Sequence, residues 1–257
     1  MRQGDFTKLA QEYQHRTGYS LRVLKALGAY MGAFRDGFQV ADVGAGTGKL
    51  TENLLELGLE VTAVEPNQAM REEGFAQLGH QPRLCWREGS GEATGLPDNS
   101  VDWVLMGSSF HWTDQPKALA EFQRILRPGG FFTAVWNPRN LEQSELHQRI
   151  EAQVHQMAPN IERVSSGSRQ YTQHLESTLL DGNFFTNLIF IEAPHEVHMS
   201  LERFLGAWRS VNDIQAQAGP EVFEKILHWI ETEVQDLDKI VVPYKTRAWT
   251  VQSTRLA

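Results

Sequence analysis

The chain has 257 residues, 41% of them apolar and 10% aromatic, which supplies enough apolar surface for a core and excludes whole-chain disorder. Its 24 Lys and Arg face 32 Asp and Glu, a net charge of −8. No basic run is present, so no nucleic-acid partner is expected, because phosphate neutralisation dominates such binding. A single cysteine, Cys85, excludes an intramolecular disulfide and a thiolate metal cluster.

The segment Met1–Phe6 is polar with no apolar stretch behind it and does not read as a signal peptide. No run approaches about 18 consecutive apolar residues, so no membrane span and no membrane partner are expected, and the chain reads as cytoplasmic. Residues 1–37 read as an N-terminal helical cap.

From residue 38 to 137, short β-rich runs alternate with helical stretches. The first run, Phe38–Val43, ends in Gly44-Ala45-Gly46-Thr47-Gly48. The helix behind it shows Leu50, Leu54 and Leu57 on one face and stops at Gly58. The second run, Leu59–Val64, is closed by Glu65-Pro66-Asn67, with Asn67 as N-cap of a helix through Met70 and Phe75. Pro82–Glu88 is the third run and Val101–Met106 the fourth, nearly all apolar as a strand covered on both faces should be. A helix from about Pro116 to Leu126 stops at Pro128-Gly129-Gly130, and Phe131–Trp136 follows as the fifth run.

After Asn137 the rhythm changes. Residues 140–158 predict an amphipathic helix carrying Leu141, Leu146, Ile150 and Val154, and residues 159–172 a Ser/Gly/Arg-rich loop. Phe184–Val197 and Tyr244–Gln252 are two further strands. Helices at about 200–218 and 220–237 lie between them, divided at Gly219-Pro220. The alternation predicts an α/β, doubly wound, mostly parallel seven-stranded sheet. Residues 38–137 form its ligand-binding core. Residues 138–257 complete the sheet and add lid insertions at about 140–172 and 199–240, over the carboxyl edge where such sheets bind ligands.

The turn Asp42–Gly48 carries the most information. Its glycines permit positive φ and a close approach of ligand to backbone. A dinucleotide fingerprint fails, because Lys49 occupies the place of its third glycine; a phosphate loop fails, because Leu50 follows Gly48-Lys49 where a hydroxyl is required. A nucleoside with an amino-acid tail remains: Asp42 can accept from an ammonium, and Glu65, at the end of the second strand, from both hydroxyls of a ribose.

At this point the sequence resembles the class I S-adenosylmethionine-dependent methyltransferases, whose fold is Rossmann-like. Asp42–Gly48 resembles their first motif and Val64–Asn67 the segment after it. Glu88–Ala93 with Leu96–Asp102 resembles their adenine-edge loop and fourth strand, and Leu126–Gly130 the turn before the fifth. The resemblance covers residues 38–137 and implies S-adenosylmethionine as cofactor. It implies that Gly44, Ala45 and Gly46 pass beneath the cofactor and that Asp42 orients the turn or takes the ammonium. Glu65 takes the ribose, with Pro66 and Asn67 beside the adenine. Ser90 replaces a common aspartate, so the adenine amine falls to Ser90 more weakly or to Glu92, with the Gly91 backbone against the ring; ordinary loop solvation is the competing reading. Tyr13–Tyr19 and Ser109–Trp112 are similar to segments of trans-aconitate and other small-molecule methyltransferases, with Thr17 in place of a proline. That likeness places Tyr13 or Arg16 at the methionine carboxylate, and Ser108 and Phe110 at the cofactor.

Methyl transfer requires alignment of acceptor, methyl and sulfur in a site closed to water. His111 is the candidate base, the alternative being that it only shapes the pocket with Trp112. Trp112, Trp136 and Trp208 are candidates to wall the substrate site, Trp208 having core packing as its alternative. Asn137 and Tyr244 are further substrate candidates. Arg209 is read either as a clamp for a substrate carboxylate or as a surface ion pair. No metal is expected, and the acceptor is a small molecule methylated on O or N rather than C. Two rivals stand beside this: the same pocket used for intramolecular cyclisation of the cofactor, releasing methylthioadenosine, and a cofactor-binding module without turnover. The oligomeric state is open.

Overall fold

The computed structural model describes residues 7–163 and 172–255. The readings of Met1–Phe6 and of most of the Ser/Gly/Arg-rich loop, residues 164–171, lie outside them. The chain divides into two units. Unit 1 comprises Met1–Thr17, Pro138–Ser165 and Pro194–Lys245; unit 2 comprises Gly18–Asn137, Ser166–Ala193 and Thr246–Ala257.

Seven strands form one sheet in the order β3-β2-β1-β4-β5-β7-β6. They are β1 (Gln39–Val43), β2 (Glu60–Val64), β3 (Leu84–Arg87), β4 (Val101–Gly107), β5 (Leu126–Trp136), β6 (Phe185–Met199) and β7 (Ile240–Ser253). All pairings among β1–β5 are parallel, and β7 runs antiparallel to β5. The chain starts at the centre, winds outward through β2 and β3, then returns to place β4 on the other side of β1. That reversal creates a crevice at the carboxyl ends of β1 and β4.

Strand period decides which residues fill which layer of unit 2. Ala41, Val43, Val104, Met106, Phe132 and Ala134 join one apolar cluster with helix Gln115–Ile125. Their alternates Val40, Trp103, Leu105 and Val135 join another with helices Leu21–Met31 and Lys49–Glu56. Unit 1 has its own core, built by Ile150, Phe204, Trp208, Ile214, Phe223 and Ile230.

One polar residue interrupts β4. Buried Asp102 accepts from the Gln39 N–H (2.8 Å), Arg127 Nη1 (2.6 Å) and Arg35 Nη2 (3.2 Å). Asp102→Ala should lower stability by about 2 kcal/mol, because the Gln39 donor loses its partner while both arginines are exposed enough to turn to water. Urea unfolding checks this, and an unchanged midpoint would refute it.

Several expected boundaries are corrected. β5 starts at Leu126, so Arg127-Pro128-Gly129-Gly130 lies inside the strand; the register shifts there and Gly129 takes φ 73°, as a bulge allows. β7 begins at Ile240, which puts Tyr244 within it rather than at its start. The expected helix at 200–218 breaks after Arg209, and a second helix runs Asn212–Val234 with its kink at Gly219, φ 78°. Residues 140–158 divide into a 3₁₀ turn, Leu141–Gln143, and a helix, Glu145–Met157, capped by Ser144. A short helix, Leu175–Leu180, was not expected. Asn67 caps its helix as expected, its side chain accepting from the Met70 N–H.

Candidate active site

The turn after β1 is stitched to β2 by backbone and by one carboxylate. The N–H groups of Gly44 and Ala45 both donate to the Val64 carbonyl, at 2.8 and 3.1 Å. Gly46 N–H donates to one oxygen of Glu65 and Asn67 N–H to the other, each at 2.8 Å. Glu65 is thus a clip between two loops. Burial pushes its pKa up, and the two N–H donors and Arg71 oppose that shift. Arg71 itself donates to the Glu65 carbonyl at 2.7 Å and pairs with Glu88 at 3.0 Å. Gly44 takes φ 68°, and a Cβ there would lie 2.8 Å from the Ser109 hydroxyl. Any side chain at this point would strike Ser109, so the turn packs against the β4 loop only with glycine.

Asp42, at the end of β1, is fully buried. Its Oδ2 accepts from the Thr51 hydroxyl at 2.6 Å, which ties the strand to the helix behind the turn, and its Oδ1 has no partner among the described residues. Burial foremost, with the negative charge of Glu65, raises its pKa to about 7 against the opposing Thr51 bonds. The folded state therefore holds a proton that the unfolded chain releases near pH 4, and stability contributed by that proton falls as pH rises through this window. Asp42→Asn should remove this dependence. Its stability relative to wild type should climb between pH 4 and 7, by at most about 1.4 kcal/mol per pH unit. Parallel urea-unfolding curves across that range would show an ordinary ionised aspartate.

The loop after β4 supplies the facing wall. Ser108 sits at φ 55° and accepts from the Tyr19 hydroxyl at 3.1 Å; the Ser109 hydroxyl donates to the Val43 carbonyl at 3.3 Å. Phe110, expected at the cofactor, turns its ring into the core instead, fully buried 5.2 Å from the Phe132 ring. His111 lies between aromatics, 4.8 Å from the Trp112 ring and 6.3 Å from that of Trp136. Its burial lowers its pKa to about 4, so the imidazole is neutral at pH 7. Trp112 is half exposed and Trp136 fully buried. Asn137 is engaged at both ends of its amide, donating to the Gly18 carbonyl (2.8 Å) and accepting from Thr246 (2.7 Å). Ser90 and Ala93 close a tight turn by mutual backbone bonds. Glu92 accepts from the Asp114 N–H at 2.7 Å, and Gly91 packs so closely that a Cβ would lie 2.7 Å from the Thr113 methyl. Pro66 is exposed.

The methyltransferase-domain family matches residues 41–134, the segment that carries the β1 turn, the Glu65 clip and the β4 loop. That match covers the sheet's reversal point and the turns on either side of it.

An uncharacterized methyltransferase of Mycobacterium tuberculosis is 46% identical over 102 residues, 40% of this chain and 41% of the relative's length. The chain thus spans less than half the length of that relative. A malonyl-[acyl-carrier protein] O-methyltransferase of Yersinia pestis is 28% identical over 190 residues, 70% of this chain and 67% of its own. A structure from Anaeromyxobacter dehalogenans named as a type II methyltransferase has the same fold, with a TM-score of 0.62 at 22% identity over 94% of this chain and 98% of the other.

The remaining predicted residues belong to unit 1. Arg16 donates through Nε to the Ser210 hydroxyl (2.7 Å) and through Nη2 to the Ser210 carbonyl (2.9 Å), and lies 4.2 Å over the Tyr13 ring. Burial above all raises the Tyr13 pKa. Trp208 is fully buried in the unit 1 core, Arg209 is exposed, and buried Tyr244 stacks on His195 at 5.8 Å. Among the described residues no group of three His, Cys, Asp or Glu is placed to hold a metal ion, and no helix is long and apolar enough to cross a membrane.

Sequence reasoning missed Thr51, Ser109 and Arg71. Only Thr51 left a signal: it stands on the first turn of the helix that the glycine loop opens, where a hydroxyl can reach back to β1.

Proposed function

We propose that this methyltransferase moves the methyl group of S-adenosylmethionine to an oxygen or nitrogen of a small-molecule acceptor. The observation that carries the reading is the Gly44–Gly46 turn locked to Glu65 at the sheet's reversal point, with a neutral His111 on the neighbouring β4 loop. The residues present fit the cofactor: a glycine turn at positive φ, a carboxylate with further lone pairs at Glu65, and a buried carboxylate oxygen of Asp42 without a partner among the described residues.

The bound sulfonium supplies an activated methyl group. Glu65 accepts from the ribose hydroxyls while it keeps Gly46 and Asn67 in place. Asp42 takes the ammonium, which favours its ionised form, and the Ser90–Glu92 turn borders the adenine. His111 takes the proton of a hydroxyl or amine acceptor, and Trp112 and Trp136 keep water from that imidazole. An oxygen acceptor accords with the name of the Yersinia relative.

The test is incubation of the whole chain with methyl-labelled S-adenosylmethionine and a metabolite extract. The expected result is release of S-adenosylhomocysteine with the label in a small molecule. Release of methylthioadenosine from cofactor alone, or no turnover despite tight binding, would refute the reading.

A further inference from the structure

Within unit 2, the inner face of helix Gln68–Leu78 and the glycine turn share a register. Met70 and Gly74 are the buried positions of that helix and Leu78 is partly buried, a spacing that puts all three on one stripe. Each meets one residue of the turn. A Cβ on Gly46 would lie 3.3 Å from the Met70 methyl, and one on Gly48 would lie 2.8 Å from a Leu78 methyl. A Cβ on Gly74 would lie 3.2 Å from the Thr47 carbonyl carbon. Residues 46, 47 and 48 thus rest in order on positions 70, 74 and 78.

Trp86 of β3 wedges between helix and turn. A Cβ on Gly74 would meet its six-membered ring at 2.6 Å or nearer, and one on Gly48 would meet it at 3.4 Å. These contacts differ in what can yield. The Met70 and Leu78 methyls end flexible side chains and can swing aside. The indole is rigid, and its backbone is held in the sheet, where Trp86 pairs with Ala63 of β2. The Thr47 backbone is no freer, because the N–H groups of Gly44 and Ala45 donate to the Val64 carbonyl and that of Gly46 to Glu65.

A side chain at position 74 therefore strikes ring on one side and backbone on the other. Alanine is the better helix former, so a glycine inside this helix stands there for close approach and not for propensity. The part left to move is the helix itself. It begins just after the Glu65-Pro66-Asn67 clip, and its Arg71 donates to the Glu65 carbonyl. Backing it away from the turn draws Glu65 away from Gly46.

We propose that Gly74 and Trp86 are positioning residues for cofactor binding: together they fix the glycine turn against the Glu65 carboxylate. The inference rests on the S-adenosylmethionine reading and deepens it.

Calorimetric titration of the whole chain with S-adenosylhomocysteine tests it, at a temperature well below the unfolding transition and with urea unfolding run in parallel. Gly74→Ala should weaken binding at least about tenfold, because the added methyl overpacks a site that cannot yield locally. Trp86→Leu in that background frees the space the methyl needs, and the double variant should bind within about threefold of wild type. Trp86→Phe withdraws the ring from Gly48 and leaves position 74 as it is; it should weaken binding about fivefold, and it carries the test if Gly74→Ala does not fold. A merely structural role would lower the urea midpoint and leave the affinity of the folded chain intact. Wild-type affinity in Gly74→Ala or in Trp86→Phe, or a loss in Gly74→Ala that Trp86→Leu does not recover, would overturn the proposal. Failure of S-adenosylhomocysteine to bind wild type would instead sink the cofactor reading.

Discussion

Glu65→Ala is expected to weaken S-adenosylhomocysteine binding by at least about a hundredfold, which corresponds to about 2.7 kcal/mol. Two losses combine. The carboxylate that would accept from the ribose is gone, and hydrogen bonds to a charged acceptor carry about 1.5–3 kcal/mol each. The N–H groups of Gly46 and Asn67 also lose the acceptor that holds both loops at 2.8 Å, so the cradle loosens before any ligand arrives. Glu65→Gln should be nearly as damaging, because its amide N–H₂ would face one of those N–H donors. The acceptor's KM should move far less. A calorimetric titration that returned the wild-type affinity would remove Glu65 from the cofactor site.

What the sequence made legible follows from interactions short in range or periodic in form. The strands through residue 137 alternate or run apolar, the Asn67 cap acts within three residues, and the glycine turn announces itself by backbone freedom. Misplaced boundaries share a cause, tertiary pairing that overrides a local stop signal: Pro128-Gly129-Gly130 looks like a terminator, yet Val101 pairs with Leu126 and carries the strand through it as a bulge. At the helix break after Arg209, Arg16 binds the Ser210 hydroxyl and carbonyl from 194 positions away. Likewise the clamp of Arg163 on Asp213 spans 50 positions. Arg209, read from the sequence as a carboxylate clamp or a surface ion pair, turns its side chain to solvent. The direction of the Phe110 ring was not legible for a related reason: on a three-residue 3₁₀ turn, adjacent side chains point apart, and His111 and Phe110 go to different surroundings.

His111→Ala should lower kcat by about a hundredfold, the usual contribution of a positioned base, while S-adenosylhomocysteine affinity holds within about twofold. The pH profile sharpens this. Burial holds the imidazole near pKa 4, below its ordinary 6.5, so the base is unprotonated across the physiological range. The acid limb of kcat/KM in wild type should therefore fall near pH 4, and the alanine variant should lose that limb. A limb at 6.5 would point to a solvent-exposed histidine elsewhere. Stability gives an independent reading. Between pH 4 and 6.5 the unfolded chain binds a proton at His111 that the folded state excludes, so this residue makes stability fall as pH drops through that window. The alanine variant should lose that share of the acid sensitivity. If kcat is unchanged while the stability profile flattens, His111 is a buried wall residue and the acceptor gives up its proton elsewhere; if both respond, the histidine that sits between Trp112 and Trp136 is the base.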